Sequence, residues 1–136
     1  MQLLHSSEEI KDYIHHCLQT YNIPYMNEYR DFSYHIEDAG SIIAGIVAES
    51  VSDTIEIHYL YVEEAHRNRG LGRLLLSTLE ENGRKAGMKR ILLNTYSFQA
   101  PEFYKKCGYK ELFEIDPCFG PYSQFYYVKT LDKVIS

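Results

Sequence analysis

The sequence runs to 136 residues with 14 Lys/Arg against 19 Asp/Glu, a net charge of −5, and is 45% hydrophobic and 24% charged. A chain of this length buries roughly two-thirds of its unfolded surface around one core, so a single domain over residues 1–136 is expected. The acidic balance argues against nucleic acid, whose phosphates need a basic face. No apolar run approaches the ~20 residues of a membrane-spanning helix, and MQLLHSSEE has no basic segment leading an apolar one. A cytoplasmic protein with neither a membrane nor a nucleic-acid partner is therefore expected. Cys17, Cys107 and Cys118 form no CxxC and share no His/Cys spacing suited to zinc. Neither a disulfide framework nor a metal is expected, and the thiols are read as reduced.

Charge is unevenly placed. Residues 1–64 hold 12 Asp/Glu against 2 Lys/Arg, whereas residues 65–136 hold 7 against 12. If the halves line two ends of one cleft, the basic end suits an anionic cofactor and the acidic end a cationic substrate. The alternative is solvated surface charge.

In chain order, Ser6-Ser7-Glu8-Glu9 sets a glutamate three residues after Ser6, a capping-box pattern. Ile10, Tyr13, Ile14, Cys17, Leu18 and Tyr21 then repeat at helical spacing, giving one apolar stripe that ends before Pro24. Residues 24–31 read as helix or loop. The period changes to that of strands over 32–38 and 41–50, a hairpin turning at Ala39-Gly40, and a third strand spans 54–62. From Gly70 a helix is expected with Leu71, Leu74, Leu75 and Leu79 on one face, exposed pairs Glu80–Arg84 and Glu81–Lys85, and Gly87 at its end. A buried strand over 90–96 follows, then a short helix over 99–108 opened by Pro101 and closed by Gly108. Strands at 110–115 and 124–131 enclose the loop DPCFGPYS. The order predicts an α/β protein with a mixed sheet.

The stretch AHRNRGLGRLLL sets Gly70 and Gly72 among three arginines, just where a loop enters a helix. A helix N-terminus offers unpaired N–H groups and the positive end of the helix dipole, so such a loop suits a phosphate. Glycines there let a pyrophosphate approach the backbone and tolerate unusual dihedrals. Two other phosphate loops are absent: there is no GxxxxGK[ST], and Gly70-Leu71-Gly72 lacks the third glycine of a dinucleotide fingerprint.

Arg67-x-x-Gly70-x-Gly72, lying after a strand and before an amphipathic helix, resembles the acetyl-CoA signature of the GNAT superfamily of N-acetyltransferases. A second segment adds to this: Asn94 near a strand end, followed by Ala100 to Tyr109 (APEFYKKCGY), is similar to the family's next helix. The order of elements over residues 1–131 also fits. The resemblance implies a central mixed, mostly antiparallel sheet of about six to seven strands flanked by about four helices. It implies an acceptor side mainly in 1–53, an acetyl-CoA-binding core in 54–109 and C-terminal strands in 110–131 that form a homodimer surface in many relatives. The strand 54–62 would splay from the next, with pantetheine pairing along Leu60, Tyr61 and Val62. The pyrophosphate would take N–H groups from Arg69, Gly70, Leu71, Gly72 and Arg73, with Arg67, Asn68, Asn94, Phe103 and Tyr104 completing the cofactor site.

Acetyl transfer from a thioester to an amine needs a base for the ammonium proton and an acid for the departing thiolate. Tyr104 resembles the family's tyrosine that faces the cofactor sulfur as that acid; a packed aromatic is the alternative in a chain with 13 tyrosines. Glu56 lies where some protein-acetylating members carry a glutamate, and strand alternation would place Glu56, His58 and Leu60 on one face. Burial in a sheet covered on both sides would raise the glutamate toward neutrality. A histidine needs no such shift to act near neutral pH, which makes His58 a rival, and water or Glu63 also remain open. A covalent role for Cys107 lacks an adjacent His-Asp pair. The expected activity is acetyl transfer from acetyl-CoA to a small cationic amine, with a peptide or protein amine, or a non-catalytic acyl-CoA-binding module, as alternatives.

Overall fold

The computed structural model describes residues 1–26 and 28–132. Helix α1 spans Glu8–Asn22, and strands β1 to β4 span Tyr29–Asp31, Tyr34–Asp38, Ser41–Val51 and Thr54–Val62. After a short 3-10 turn at Glu64–His66 come α2 (Leu71–Lys85), β5 (Arg90–Tyr96), α3 (Pro101–Lys106), β6 (Lys110–Phe119) and β7 (Tyr122–Thr130). Seven strands form one sheet in the order β1-β3-β4-β5-β7-β6, with β2 also pairing β3. Every pairing is antiparallel except β4 with β5.

Three α-helices are present among the described residues, not about four. Among the described residues of 24–31 there is no helix: Pro24 follows the end of α1, the N–H groups of Tyr25 and Met26 both return to the Asn22 carbonyl, and Tyr29–Asp31 joins the sheet. Asn27 lies outside the described residues, as do residues 133–136 of the expected domain. The cap of α1 is also one residue later than the capping-box pattern placed it. Ser7, not Ser6, accepts the Ile10 N–H at 3.3 Å.

The core lies on one face of the sheet. Leu75, Leu76 and Leu79 of α2 pack with Ile46, Ala48, Ile55, Ile57, Ile91 and Leu93, each fully buried Leu or Ile contributing about 1.5–3 kcal/mol. Leu74, expected on this face, is 54% exposed, and the buried stripe runs through Leu76 and Glu80 to Gly83 instead. Glu80 therefore does not form the exposed pair with Arg84. It accepts the Tyr109 hydroxyl at 2.9 Å and pairs with Lys129 at 3.0 Å, while Glu81–Lys85 forms on the surface at 3.2 Å.

The stretch 116–123, expected as a loop, is mostly strand. β6 runs on to Phe119 and β7 starts at Tyr122, so the hairpin turns at Gly120-Pro121. Alternating aromatics explain the extension: Phe119 and Tyr122 pack around Phe98, whose ring stacks on Tyr96 at 5.5 Å.

The other face of the sheet is open. Val47 is 45%, Tyr59 71% and Tyr61 60% exposed, and α1 buries none of its residues. Among the described residues no helix is long and apolar enough to cross a membrane, and no cluster of three or more His, Cys, Asp or Glu gathers.

Candidate active site

The parallel pair β4–β5 stays in register only from Thr54↔Arg90 to Glu56↔Leu92. Beyond Glu56 the strands part, and a cleft of ≈ 940 Å³ opens between Ile57–Val62 and Leu93–Thr95, roofed by the α2 N-terminus and α3. That volume is at the upper end for small-ligand sites, room for an extended cosubstrate and an acceptor together.

One end of the cleft is built for anions. Asn68 and Gly70 hold φ of +64° and +77°, the left-handed region open to glycine and tolerated by asparagine. Those dihedrals let the loop turn into α2, whose first residues Leu71, Gly72 and Arg73 line the cleft. Its first internal bond runs from the Leu74 N–H to the Gly70 carbonyl at 2.9 Å, which leaves the N–H groups of Leu71, Gly72 and Arg73 without a helical partner. No acidic residue lies in the first turn to compete for them. Gly72 answers to space: a Cβ there would stand 3.5 Å from the Phe103 ring, projecting into the cleft that both residues line.

The three arginines divide. Arg67 Nε donates to the Val62 carbonyl at 2.9 Å, pinning the loop to the end of β4. Arg69 donates to His66 Nδ1 at 2.8 Å, which requires the neutral ring with its proton on Nε2. Arg69 does not line the cleft. Arg73 lines it and has no ion pair or side-chain hydrogen bond among the described residues, so its charge is available to a ligand.

Tyr104 sits deeper, 7% exposed, yet lines the cleft. Its ring meets Phe103, Tyr109 and Tyr127 at centroid distances of 5.3, 5.8 and 6.1 Å. Burial pushes its phenol up to about 12, so the hydroxyl stays protonated. Behind it, Lys129 donates to the Cys107 carbonyl at 2.8 Å while holding Glu80. This knot ties α2, the end of α3 and β7, and thereby fixes the helix that presents Tyr104. Burial also raises the Cys107 thiol, whose side chain faces a separate ≈ 100 Å³ pocket lined by Arg73, Glu80 and Lys129.

Residues 2–109 match the model of the Acetyltransferase (GNAT) family. The chain belongs to that family. It is similar to a crystal structure of an acetyltransferase from Bacillus cereus ATCC 14579, 28% identical with a TM-score of 0.86, covering 96% of this chain and 98% of that one. It is 28% identical to acetyltransferase Atu2258 of Agrobacterium fabrum over 74% of this chain and 75% of the relative. It is 29% identical to the blasticidin-S acetyltransferase of Streptomyces morookaense over 57% and 58% of the two chains. Solved structures sharing the fold include complexes with acetyl coenzyme A and with coenzyme A. The chain is thus an acyltransferase of the GNAT family, and the acetyl-CoA signature identified in its sequence lies within the matched segment.

In this GNAT acetyltransferase the cleft gathers His58, Leu60, Tyr61, Val62, Arg67, Asn68, Gly70, Leu71, Gly72, Arg73, Asn94, Phe103 and Tyr104, and leaves out Arg69 and Glu56. Glu56 is exposed, not buried in a sheet covered on both sides. Nor do Glu56 and Leu60 share a face. β4 carries one extra residue opposite the Val47–Ala48 step, where Val47 pairs Tyr59 and Ala48 pairs Ile57. This β-bulge at His58 reverses the alternation, turning Leu60 and Val62 to the core side and Tyr59 and Tyr61 to the open face. His58 Nε2 lies 3.3 Å from Glu49 Oε1, and Glu49 stands directly across from Glu56. Sequence reasoning missed Glu49, and the one available signal was its place on the strand pairing with Glu56. It also missed Phe98 and Gln99. Gln99 Oε1 accepts the Tyr96 N–H at 2.9 Å and the Thr95 hydroxyl at 3.1 Å, closing the loop that forms the cleft rim.

Proposed function

We propose that this GNAT acetyltransferase moves an acetyl group from acetyl-CoA to a small cationic amine, by direct transfer within a ternary complex. The observation carrying the reading is the polarity of the split between β4 and β5. Its outer end has the free α2 N–H groups and Arg73, and its inner end has His58, whose ring is held by Glu49 on the neighbouring strand, with Glu56 directly opposite Glu49 just outside the cleft. Two carboxylates directly opposite on a strand pair concentrate negative charge, and here they do so beside His58, which suits the approach of an ammonium to that end.

The thioester supplies an activated acetyl carbonyl. The amine nitrogen bonds to that carbon, the carbon–sulfur bond breaks with its electron pair going to sulfur, and the ammonium proton leaves. His58 is the favoured acceptor of that proton, directly or through water, because it lines the cleft whereas Glu56 does not. With Glu49 accepting from Nε2, the Nδ1 lone pair is the free one. Tyr104 donates a hydrogen bond to the developing thiolate. Full transfer from a phenol at about 12 to a thiol near 8.5 is uphill by roughly 5 kcal/mol, so the role that fits Tyr104 is stabilisation of the thiolate. Cys107, outside the cleft and with a raised pKa, is a poor acetyl carrier. The acceptor side is assigned to residues 1–53 and the cosubstrate side to 54–109. Three free thiols accord with a cytoplasmic location.

The relative named for blasticidin S favours a small acceptor; a peptide amine is the second reading, favoured by the open sheet face beside β4. Release of coenzyme A thiol is to be followed with polyamines, aminoglycosides, nucleoside antibiotics and N-terminal peptides as acceptors. Turnover with cationic small amines at rates well above those of peptides supports the reading. Turnover with peptides alone overturns it.

A further inference from the structure

Helix α1 is an apolar helix without a partner. Ile10, Tyr13, Ile14, Leu18 and Tyr21 are between 48% and 70% exposed on one stripe, and the preceding Leu3 and Leu4 are exposed as well. The family model nevertheless begins at residue 2, so this arm is part of the domain that does not pack on its own sheet. The match to the Bacillus cereus structure covers 96% of the chain, which takes in most of the arm. The sheet meanwhile leaves one face bare around Val47, Tyr59 and Tyr61. The chain exposes 10007 Å² for a mass of 15.9 kDa, about 2,600 Å² more than the ~7,400 Å² of a compact monomer of that size. An excess of that size exceeds the ~800 Å² that each partner gives to a standard interface, and the roughly 5,200 Å² for two chains is at the upper end for obligate homodimers.

We infer that two copies exchange their N-terminal arms, the apolar stripe of α1 from each chain lying across the open sheet face of the other. The occupant is a second copy because one chain holds both unpartnered surfaces, and a two-fold exchange covers both at once in a closed assembly. The exchange also bears on the site. Tyr59 and Tyr61 belong to both the bare face and the cleft, so an α1 seated there walls the acceptor end beside Glu49 and Glu56. Each acceptor pocket is then complete only in the dimer. This last step rests on the proposed acetyl transfer; the exchange itself does not.

The test is the mass of the full chain by sedimentation equilibrium, for the wild type and three surface variants, none of which alters a buried residue. The wild type is expected at twice 15.9 kDa. Leu18→Asp on the arm and Val47→Asp on the sheet face are each expected to halve it, and Phe113→Asp on β6 to leave it doubled. Retained acetyl-CoA binding in Leu18→Asp shows that the body is folded, while its amine turnover falls at least 10-fold. A monomeric wild type overturns the exchange. So does a dimer that survives either Leu18→Asp or Val47→Asp, or that is lost on Phe113→Asp, which would place the interface on the C-terminal strands. A dimer that follows the expected pattern but releases no thiol with any amine upholds the exchange and defeats the catalytic reading.

Discussion

Replacing Tyr104 by phenylalanine removes one oxygen from a side chain that is 7% exposed and ringed by Phe103, Tyr109 and Tyr127. The ring contacts survive, so folding and acetyl-CoA affinity are expected to change little. What is lost is a hydrogen bond to a developing negative charge, worth about 1.5–3 kcal/mol, or roughly a 10- to 150-fold fall in kcat. The pH dependence separates this from a packing role. With the phenol held at about 12, the donor persists through the alkaline range, and wild-type kcat should show no fall from Tyr104 ionisation below pH 10. The linkage has a definite sign. A folded value above the unfolded one near 10 gives stability that is complete below pH 10 and lost as pH rises toward 12, about 2.7 kcal/mol in all. Urea unfolding across that interval should therefore cost the wild type more than Tyr104→Phe. Steady-state thiol release at saturating acetyl-CoA reads kcat, and a Tyr104→Phe value within twofold of wild type would refute the donor role.

Gly72→Leu should weaken acetyl-CoA about 100-fold or more, some 2.7 kcal/mol, because its side chain starts 3.5 Å from Phe103 and fills the cleft; calorimetric titration measures it, and unchanged affinity would place the cosubstrate elsewhere. By the same titration Arg73→Ala should cost about 10- to 100-fold in affinity, whereas Arg69→Ala, off the cleft and engaged with His66, should cost under about threefold. Equal losses would contradict this division of the arginines. Lys129→Met leaves the buried Glu80 carboxylate with the Tyr109 hydroxyl alone and should destabilise by about 3 kcal/mol in urea unfolding. A loss below 1 kcal/mol would show that the knot does not hold α3.

The sequence displays those parts of the fold in which local period and burial agree. Strands 54–62 and 90–96 run between the residues their patterns mark, and α2 begins one residue after Gly70. The glycine–arginine loop was legible because backbone chemistry at a helix start is local. Three features were not, each depending on contacts distant in sequence. Glu80 occupies the stripe position between Leu76 and Gly83, but only Lys129 and Tyr109 make a buried carboxylate tolerable there. The bulge at His58 is a property of the β3–β4 register, invisible in β4 by itself, and it put Leu60 on the opposite face from Glu56. The amphipathic period of α1 is real, yet a period states that a face must be covered and is silent on which chain covers it.

The central claim, direct transfer between two substrates held in one cleft, is tested most directly by initial rates with acetyl-CoA and a turned-over cationic amine both varied. Intersecting double-reciprocal lines, with no acetyl group recovered on the protein after acetyl-CoA alone, are the predicted result. Parallel lines together with an acetylated Cys107 would contradict it.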